Sequence, residues 1–339
     1  KRGPDAEGFY YQDTVALGHS RLKIIDISDN ASQPMSDMSG RYTVVFNGEI
    51  FNFRELKKDL IAKGVKFKSE SDTEVLLYIF IHEKEKCLEK LDGEFAFAIY
   101  DKEENSLFIA RDRFGIKPLY YFIDEDKFIF ASEMKAIMAY KIPKNMDEAS
   151  LQMYLHFNYI PSPDTILKNV KKLPPASWCR IQNSGLKIQN YYQINSEPTT
   201  LKYENAGIEL KKIIENSVHK RMIADVPLGC FLSGGIDSSI ISAIAAKHTK
   251  HLKTFSIGYK DEGYFDETYY ANIMAKKIQS EHTVFSLTND DLFGNLHSVL
   301  DYIDEPFADS SALAVHILSM HTRKHVKVAL SGDGADEIF

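Results

Sequence analysis

The chain has 339 residues, which is enough for two domains of ordinary size, each with its own hydrophobic core. Its hydrophobic fraction of 44% and charged fraction of 26% are typical of a soluble protein, and a net charge of -7 argues against a nucleic-acid-binding surface. No apolar run approaches the roughly 20 residues that span a bilayer, and Cys87, Cys179 and Cys230 are too few for a disulfide framework or a zinc cluster. These features predict a protein of the reducing cytoplasm whose partners include neither membrane nor nucleic acid.

The first half, residues 1–195, is predicted to be an α+β layered domain. Short runs rich in aromatic and β-branched residues predict strands at 42–46, 94–100, 106–110, 119–123 and 127–132. Two helices are predicted at 53–62 and 73–84, the second with Asp72 as its N-cap. Because strands follow one another with few helices between them, this half does not read as alternating βαβ units.

The second half, residues 205–339, follows a linker predicted near 195–204. Here helices predicted at 206–222, 238–247, 267–278 and 311–324 alternate with apolar strands predicted at 227–232, 254–257 and 326–330. Near-continuous apolar strands between helices are typical of a parallel sheet covered on both faces. The sequence therefore predicts an α/β doubly wound domain after the α+β domain.

A glycine-rich turn connects a strand to a helix at 232–239. Its residues 233–238 read Ser-Gly-Gly-Ile-Asp-Ser. Two glycines allow a sharp turn and bring backbone N–H groups close to an anion, and the helix that follows adds its positive N-terminal end. The Lys that ends a Walker P-loop is absent, which disfavours a P-loop NTPase. The spacing instead resembles the pyrophosphate loop of the ATP pyrophosphatases.

A second loop, at 331–337, follows the last predicted strand and reads Ser-Gly-Asp-Gly-Ala-Asp-Glu. Doubly wound folds bind ligands at the carboxyl ends of their strands. Magnesium takes one or two carboxylates together with phosphate oxygens and water. Asp237 and Asp336, one from each loop, are therefore the predicted magnesium ligands, although a solvated acidic turn is the alternative for the second loop.

Both loops resemble those of asparagine synthetases, as does segment 304–311, Asp-Glu-Pro-Phe-Ala-Asp-Ser-Ser. In that family this half activates the side chain of aspartate as β-aspartyl-AMP, which ammonia attacks. The resemblance implies that ATP is bound by Leu232, Ser233, Gly234, Gly235, Asp237, Ser238, Ile257, Ser331 and Gly332. Some members have Ser-Gly-Glu-Gly at 331–334, so Asp333 places a shorter carboxylate at the adenylate.

The first half resembles the class II, N-terminal-nucleophile glutamine amidotransferase domain. The matching segments are 2–5 (Arg-Gly-Pro-Asp), 18–22 (Gly-His-Ser-Arg-Leu), 46–50 (Phe-Asn-Gly-Glu-Ile), 71–74 (Ser-Asp-Thr-Glu) and 110–118. Arg21 can bind the α-carboxylate of glutamine with its planar fork, and Asp72 with Glu49 can bind the α-ammonium. Asn47 and the Gly48 amide can stabilise the oxyanion. Singly each has a plainer explanation: an ion pair for Arg21, a hairpin turn for Asn47-Gly48, a helix cap for Asp72.

The family uses an N-terminal cysteine as nucleophile, and no cysteine of this chain is terminal. Cys87, Cys179 and Cys230 are predicted to be buried packing residues. The resemblance thus implies a chain truncated at both ends, without the nucleophile and with an incomplete second domain.

The hypothesis that follows is a ligase that makes asparagine from aspartate, glutamine and ATP with magnesium. Two alternatives stay open. The same two halves could amidate another acid, such as a sugar acid of surface polysaccharide or the precursor of a β-lactam, or the chain could be a non-catalytic sensor of glutamine or nucleotide. The oligomeric state is not fixed by the sequence, and a homodimer is one possibility.

Overall fold

A computed structural model describes residues 2–182, 185–198, 200–261 and 263–336. The chain forms two compact units. Unit 1 comprises residues 1–196 together with the segment 304–308, and unit 2 comprises 197–303 and 309–339. A short piece from late in the sequence is therefore part of the first unit.

Unit 1 contains three antiparallel sheets. Its strands are β1 (Ala6–Gln12), β2 (Val15–Arg21), β3 (Met35–Ser36), β4 (Tyr42–Ile50), β5 (Gly93–Asp101), β6 (Ser106–Arg111), β7 (Tyr120–Ile123), β8 (Phe128–Ala131), β9 (Val170–Lys172), β10 (Ser177–Gln182) and β11 (Gly185–Asn190). The largest sheet has the order β11-β10-β6-β5-β4-β3, beside a three-stranded sheet β8-β7-β9 and the hairpin β1-β2. The five predicted strands are confirmed as β4 to β8, with ends that differ by a few residues.

The helices of unit 1 are α1 (Phe53–Ala62), α2 (Asp72–Glu83), α3 (Cys87–Lys90), α4 (Met134–Met138) and α5 (Glu148–Phe157). Helix α1 buries Phe53, Leu56 and Leu60, which lie on one face at the helical spacing. In α2 almost every residue from 72 to 80 is buried. The prediction that Asp72 caps α2 is wrong by one residue, because the Ser71 side chain accepts the Glu74 amide and Asp72 is the first helical residue.

Unit 2 is built on a sheet of four parallel strands. The strands are β12 (Leu228–Phe231), β13 (Lys253–Tyr259), β14 (Glu281–Leu287) and β15 (Val328–Leu330), and the helices are α6 (Tyr203–Arg221), α7 (Ile236–His248), α8 (Thr268–Ile278), α9 (Asn289–Tyr302) and α10 (Ser311–Thr322). The strand order is β14-β13-β12-β15, so β12 lies between β13 and β15. The predicted parallel sheet is confirmed. Strand β14 and helix α9 were not predicted.

Among the described residues, no helix is both long and apolar enough to cross a bilayer.

Candidate glutamine and ATP sites

The outer edge of β4 pairs with β3 at residues 43 and 44, and beyond them it presents backbone groups to side chains. The Phe46 amide donates to Oε1 of Gln33 at 2.7 Å, and the Ile50 amide donates to Oδ2 of Asp72 at 3.1 Å. Amides of alternate residues in a strand point to the same side. The Gly48 amide therefore points to this edge too. It lies between the Phe46 amide, which donates to Gln33, and the Ile50 amide, which donates to Asp72.

The strand on the other side of Gly48 supports this direction. Phe95, the partner of Gly48 in β5, accepts the Asp112 amide at 2.8 Å and donates its own amide to the Asp112 carboxylate at 3.3 Å. The Gly48–Phe95 pair is consequently one of the ladder positions without mutual hydrogen bonds. A Cβ at Gly48, whose φ is +155°, would lie 2.0 Å from the Glu94 carbonyl oxygen, so only glycine fits this close approach.

Asn47 extends the same site. Its side-chain amide lies 3.4 Å from the hydroxyl of Ser132, just after β8. Glu133, the next residue, forms an ion pair with Arg2 at 3.0 Å, so the segments 2–5 and 132–133 meet near the end of β4. Sequence reasoning singled out 2–5 but not Ser132 or Glu133, because neither carries a distinctive pattern of its own.

Asp72 is the buried acid of this region, with only 5% of its surface exposed. Burial raises the pKa of its carboxyl to about 6, against the lowering effect of the Ile50 amide and of the charge of Arg21. Burial disfavours the charged form, so a cation brought to this carboxylate gains more than it would in water. Glu49, the other predicted ligand of the ammonium, lies on β4 between Gly48 and Ile50.

Arg21, at the end of β2, is buried and binds the loop that follows its own strand. Its guanidinium donates to the carbonyl oxygens of Ser28 at 2.9 Å, Asp26 at 2.5 Å and Ile25 at 3.3 Å. The three bonds use part of the five donors of a guanidinium. Arg21 is therefore a structural anchor of residues 25–28, and any contact to a ligand uses its remaining donors.

The three cysteines are buried, as predicted. Burial raises the pKa of the Cys179 and Cys230 thiols to about 12 and also raises that of Cys87. Thiols of this kind are inert because the thiolate is the nucleophile.

In unit 2 the glycine-rich turn runs from β12 into α7. Its hydroxyls are linked, since the Ser233 and Ser238 oxygens lie 2.9 Å apart and Ser233 Oγ also accepts the Gly235 amide at 3.3 Å. Gly234 has φ +93°, and a Cβ there would lie 2.6 Å from the Ala271 amide nitrogen in α8. Both conditions require glycine at this position.

The second loop lies directly against the first. A Cβ at Gly332 would be 2.7 Å from the Ser238 amide nitrogen and 2.9 Å from Cβ of Asp237. This approach follows from the pairing of β15 with β12, whose carboxyl ends deliver the two loops to one edge of the sheet. Ser331 is close by and donates its hydroxyl to Asp333 at 2.9 Å.

Two more predicted ligands of ATP lie just after β12 or within β13. Leu232 is fully buried and its amide donates to Phe255 in β13, and Ile257 lies two residues further along β13. Asp237 is the second residue of α7, and Asp336 lies four residues beyond Gly332 in the chain. Residues 337–339 are outside the described part of the chain. Among the described residues, no group of three or more His, Cys, Asp or Glu forms a metal cluster.

The segment 304–308 is part of unit 1 and contacts β7, β9 and the start of α4. Glu305 forms an ion pair with Lys172 at 2.7 Å and accepts the Tyr120 hydroxyl at 3.2 Å. Asp304 accepts the amides of Met134 and Lys135 at the start of α4. Burial raises the pKa of Glu305, although the bond to Lys172 opposes that rise.

Two family models divide the chain in the same way as its architecture. A model described as a glutamine amidotransferase domain matches residues 1–192, and a model described as asparagine synthase matches residues 209–339. The α+β unit with its glycine-bearing strand edge is thus a glutamine amidotransferase domain, and it is joined to a parallel-sheet domain of the asparagine synthase type.

Curated relatives identify the family. The chain is 40% identical over 339 residues to asparagine synthetase (glutamine-hydrolyzing) 1 of Bacillus subtilis, covering 100% of this chain and 53% of that protein. It is 36% identical over 364 residues to putative asparagine synthetase (glutamine-hydrolyzing) 2 of Methanocaldococcus jannaschii, covering 100% of this chain and 70% of that protein. The chain belongs to the glutamine-hydrolysing asparagine synthetase family. It spans about half the length of the first relatives it matches, 53% and 58% for two Bacillus subtilis proteins.

Proposed function

We propose that this chain carries the residues described above from the two active sites of an enzyme that amidates aspartate to asparagine, with glutamine as the source of ammonia and ATP as the source of energy. The nucleophile of the glutamine site is not among these residues. Ammonia released in unit 1 would attack β-aspartyl-AMP formed in unit 2, with AMP and pyrophosphate as the other products. The order of the two family domains and the identity to glutamine-hydrolysing synthetases support this assignment.

In the glutamine site each group of the substrate has a matching residue. Asp72 and Glu49 bind the α-ammonium, and the donors of Arg21 that the loop 25–28 does not use bind the α-carboxylate. The Asn47 side chain and the Gly48 amide stabilise the oxyanion that forms at the amide carbon. A donor of this kind contributes about 3 to 4 kcal/mol to the transition state in other enzymes.

In the ATP site the loop 233–238 holds the phosphates through its amides, its hydroxyls and the N-terminus of α7. Leu232, Ile257 and Gly332 border the adenosine. Asp237 and Asp336 would hold Mg²⁺, and the ion would supply positive charge to the phosphate oxygens. Asp333 lies beside the aspartyl adenylate.

The observation that carries the ATP assignment is the packing of Gly332 against Ser238 and Asp237. Separate glycine turns are common, but here two of them share one edge of a parallel sheet with no room for a side chain between them. A cradle of backbone amides beside carboxylates suits a polyphosphate with its cation.

The test is pyrophosphate release by the full-length protein with ATP, Mg²⁺ and ammonia, measured with and without aspartate. We expect release that depends on aspartate, with AMP and asparagine formed in equal amounts. Removal of Mg²⁺ with a chelator should abolish the release. A protein that binds ATP but shows no aspartate-dependent release would refute asparagine synthesis and leave the other acceptor acids.

A further inference from the structure

Phe46 precedes the oxyanion residues, and side chains hold both of its outward backbone groups. Its amide donates to Oε1 of Gln33 at 2.7 Å, and its carbonyl oxygen lies 3.0 Å from Nε2 of His19. Gln33 is itself fixed, because it is buried and its Nε2 donates to the Thr73 hydroxyl at 3.3 Å. Strand β3 pairs with β4 only at residues 43 and 44. Beyond that point the side chains of Gln33 and His19, rather than a strand, bind the backbone of β4.

The protonation of His19 follows from its partners. A carbonyl oxygen can only accept, so Nε2 must carry the proton. Nδ1 is buried and has no partner among the described residues, so a second proton there would be left without an acceptor. Burial lowers the pKa of His19, and the charge of Arg21 lowers it further. His19 is thus a neutral donor in one tautomer.

We propose that His19 and Gln33 are positioning residues for glutamine hydrolysis, which hold the Phe46 peptide and so aim the Asn47 side chain and the Gly48 amide at the oxyanion. This inference rests on the proposed function of unit 1. Neither side chain needs to touch glutamine. His19 links the hairpin β1-β2 to the six-stranded sheet, and the strand it holds carries both oxyanion donors within two residues of Phe46.

The positions of His19 and Gln33 predict which kinetic constant changes when either contact is lost. Oxyanion donors act in the transition state, whereas the ammonium and carboxylate of glutamine are bound by other residues. A strand that moves at Phe46 should therefore lower kcat for hydrolysis and change KM for glutamine little. Loss of a whole donor costs about 10²- to 10³-fold in other enzymes, so loss of alignment should cost on the order of 10- to 100-fold.

The experiment compares His19→Gln with His19→Asn in the full-length protein. The glutamine side chain can carry an N–H to the Phe46 carbonyl, whereas the shorter asparagine amide falls short. We expect H19N to lower kcat for glutamate release by about 10- to 100-fold with KM within about threefold of the wild type, and H19Q to recover most of the loss. Synthesis from added ammonia should be unchanged in both variants, which shows that unit 2 is intact, and the unchanged KM for glutamine shows that the glutamine site of unit 1 is still formed.

Two further variants complete the test. Gln33→Met removes the acceptor of the Phe46 amide and should reproduce the loss of kcat. In the double variant with H19N, the fold-loss in kcat should be smaller than the product of the two single losses. His156→Gln is the control, because His156 also contacts a backbone carbonyl, that of Gln152 at 3.2 Å, but on an exposed helix. Equal losses for H19N and H19Q, a loss that falls on KM, or unchanged kcat in H19N would overturn the proposal. A wild-type protein that does not hydrolyse glutamine would instead refute the proposed function itself.

Discussion

The glutamine site and the ATP site differ in how far the protein itself occupies its polar groups. Around β4 the backbone groups and charges are bound by other protein groups, as with Phe46 by Gln33, Ile50 by Asp72 and Arg21 by three carbonyl oxygens. In unit 2 most residues of the two loops are half-buried or exposed, and glycines at 234 and 332 allow the close approaches that shape them.

The difference follows from the ligands. Glutamine is small and makes few contacts, so its site gains from donors and acceptors that are fixed before binding. A triphosphate brings many charged oxygens and a cation, and it needs open amides and room more than fixed side chains. Substitutions in unit 1 should therefore act by removing hydrogen-bond or ion-pair partners. Substitutions in unit 2 should act by filling the space between the loops.

The largest effect is expected from Gly332→Ala. The new Cβ would lie 2.7 Å from the Ser238 nitrogen, so one of the two loops must move. A displacement of this size should reduce aspartate-dependent pyrophosphate release on the order of 100-fold, with glutamine hydrolysis unchanged. The matched control is Gly294→Ala in α9, where a Cβ meets nothing within 4 Å. Full activity of G332A would show that the loops adapt and that space does not govern this site.

The next effect concerns the buried pair of unit 1. Lys172→Met leaves Glu305 without its cation at a site where both side chains are at most 14% exposed. We expect the free energy of unfolding of unit 1 to fall by about 3 kcal/mol, followed in urea by the fluorescence of Trp178, the only tryptophan. The double variant with Glu305→Leu should recover part of the loss.

Lys23→Met serves as the control for that measurement. Its partner Asp29 is 93% exposed, and pairs of that kind contribute little to stability. A similar destabilisation in K23M and K172M would mean that burial does not decide the value of the pair.

A pH dependence is expected from Asp72. Its pKa of about 6 lies above the ordinary value of 3.8, so the carboxylate that we propose as the ligand of the ammonium is lost as the pH falls through 6. Glutamine affinity, measured by calorimetry, should be constant from pH 7 to 8 and fall about tenfold per pH unit well below 6. Asp72→Asn should bind weakly at every pH.

The effect of Asp72→Asn on the free energy of unfolding should be opposite to its effect on glutamine binding. A carboxyl whose folded pKa is raised contributes stability that is present below pH 4 and lost as the pH rises through 6. D72N should therefore be more stable than the wild type at pH 7 and equal to it near pH 4. A wild type that is the more stable at pH 7 would contradict the raised pKa.

The smallest effect is expected from the cysteines. All three thiols are buried with raised pKa values, so alkylation at pH 8 should be slow in the folded chain and fast in urea. Cys179→Ala should leave glutamine binding unchanged. Rapid modification of any thiol in the folded state would argue against its role in packing.

Local patterns identified much of the fold. The amphipathic spacing of α1 and the apolar strands of unit 2 are visible in the sequence because they follow the periods of the helix and the sheet. The hairpin β1-β2 and the strand β14 were not predicted, since polar and glycine residues such as Glu281 and His282 interrupt the pattern of each strand. Helix α9 was missed although the capping box of Thr288 and Asp291 marks its start.

The candidate sites divide in the same way. Glycine turns, the Asn-Gly pair and the paired acids can be recognised because each residue type has a distinct chemistry at a fixed spacing. Gln33 and Ser132 could not be recognised, because each acts through a contact with residues distant in the chain. Glu305 lies in a segment that the resemblance singled out, but its partner Lys172 could not be predicted.

The sequence alone determined the two-part organisation, the family and the residues whose chemistry suits glutamine and ATP, because these depend on residue type and local order. Only the tertiary structure decided that the Gly48 amide points to an edge of β4 held by side chains, that Gly332 packs against Ser238, and that 304–308 belongs to the first unit. Such facts depend on strand pairing and side-chain packing, which join positions up to hundreds of residues apart and leave no period in the sequence.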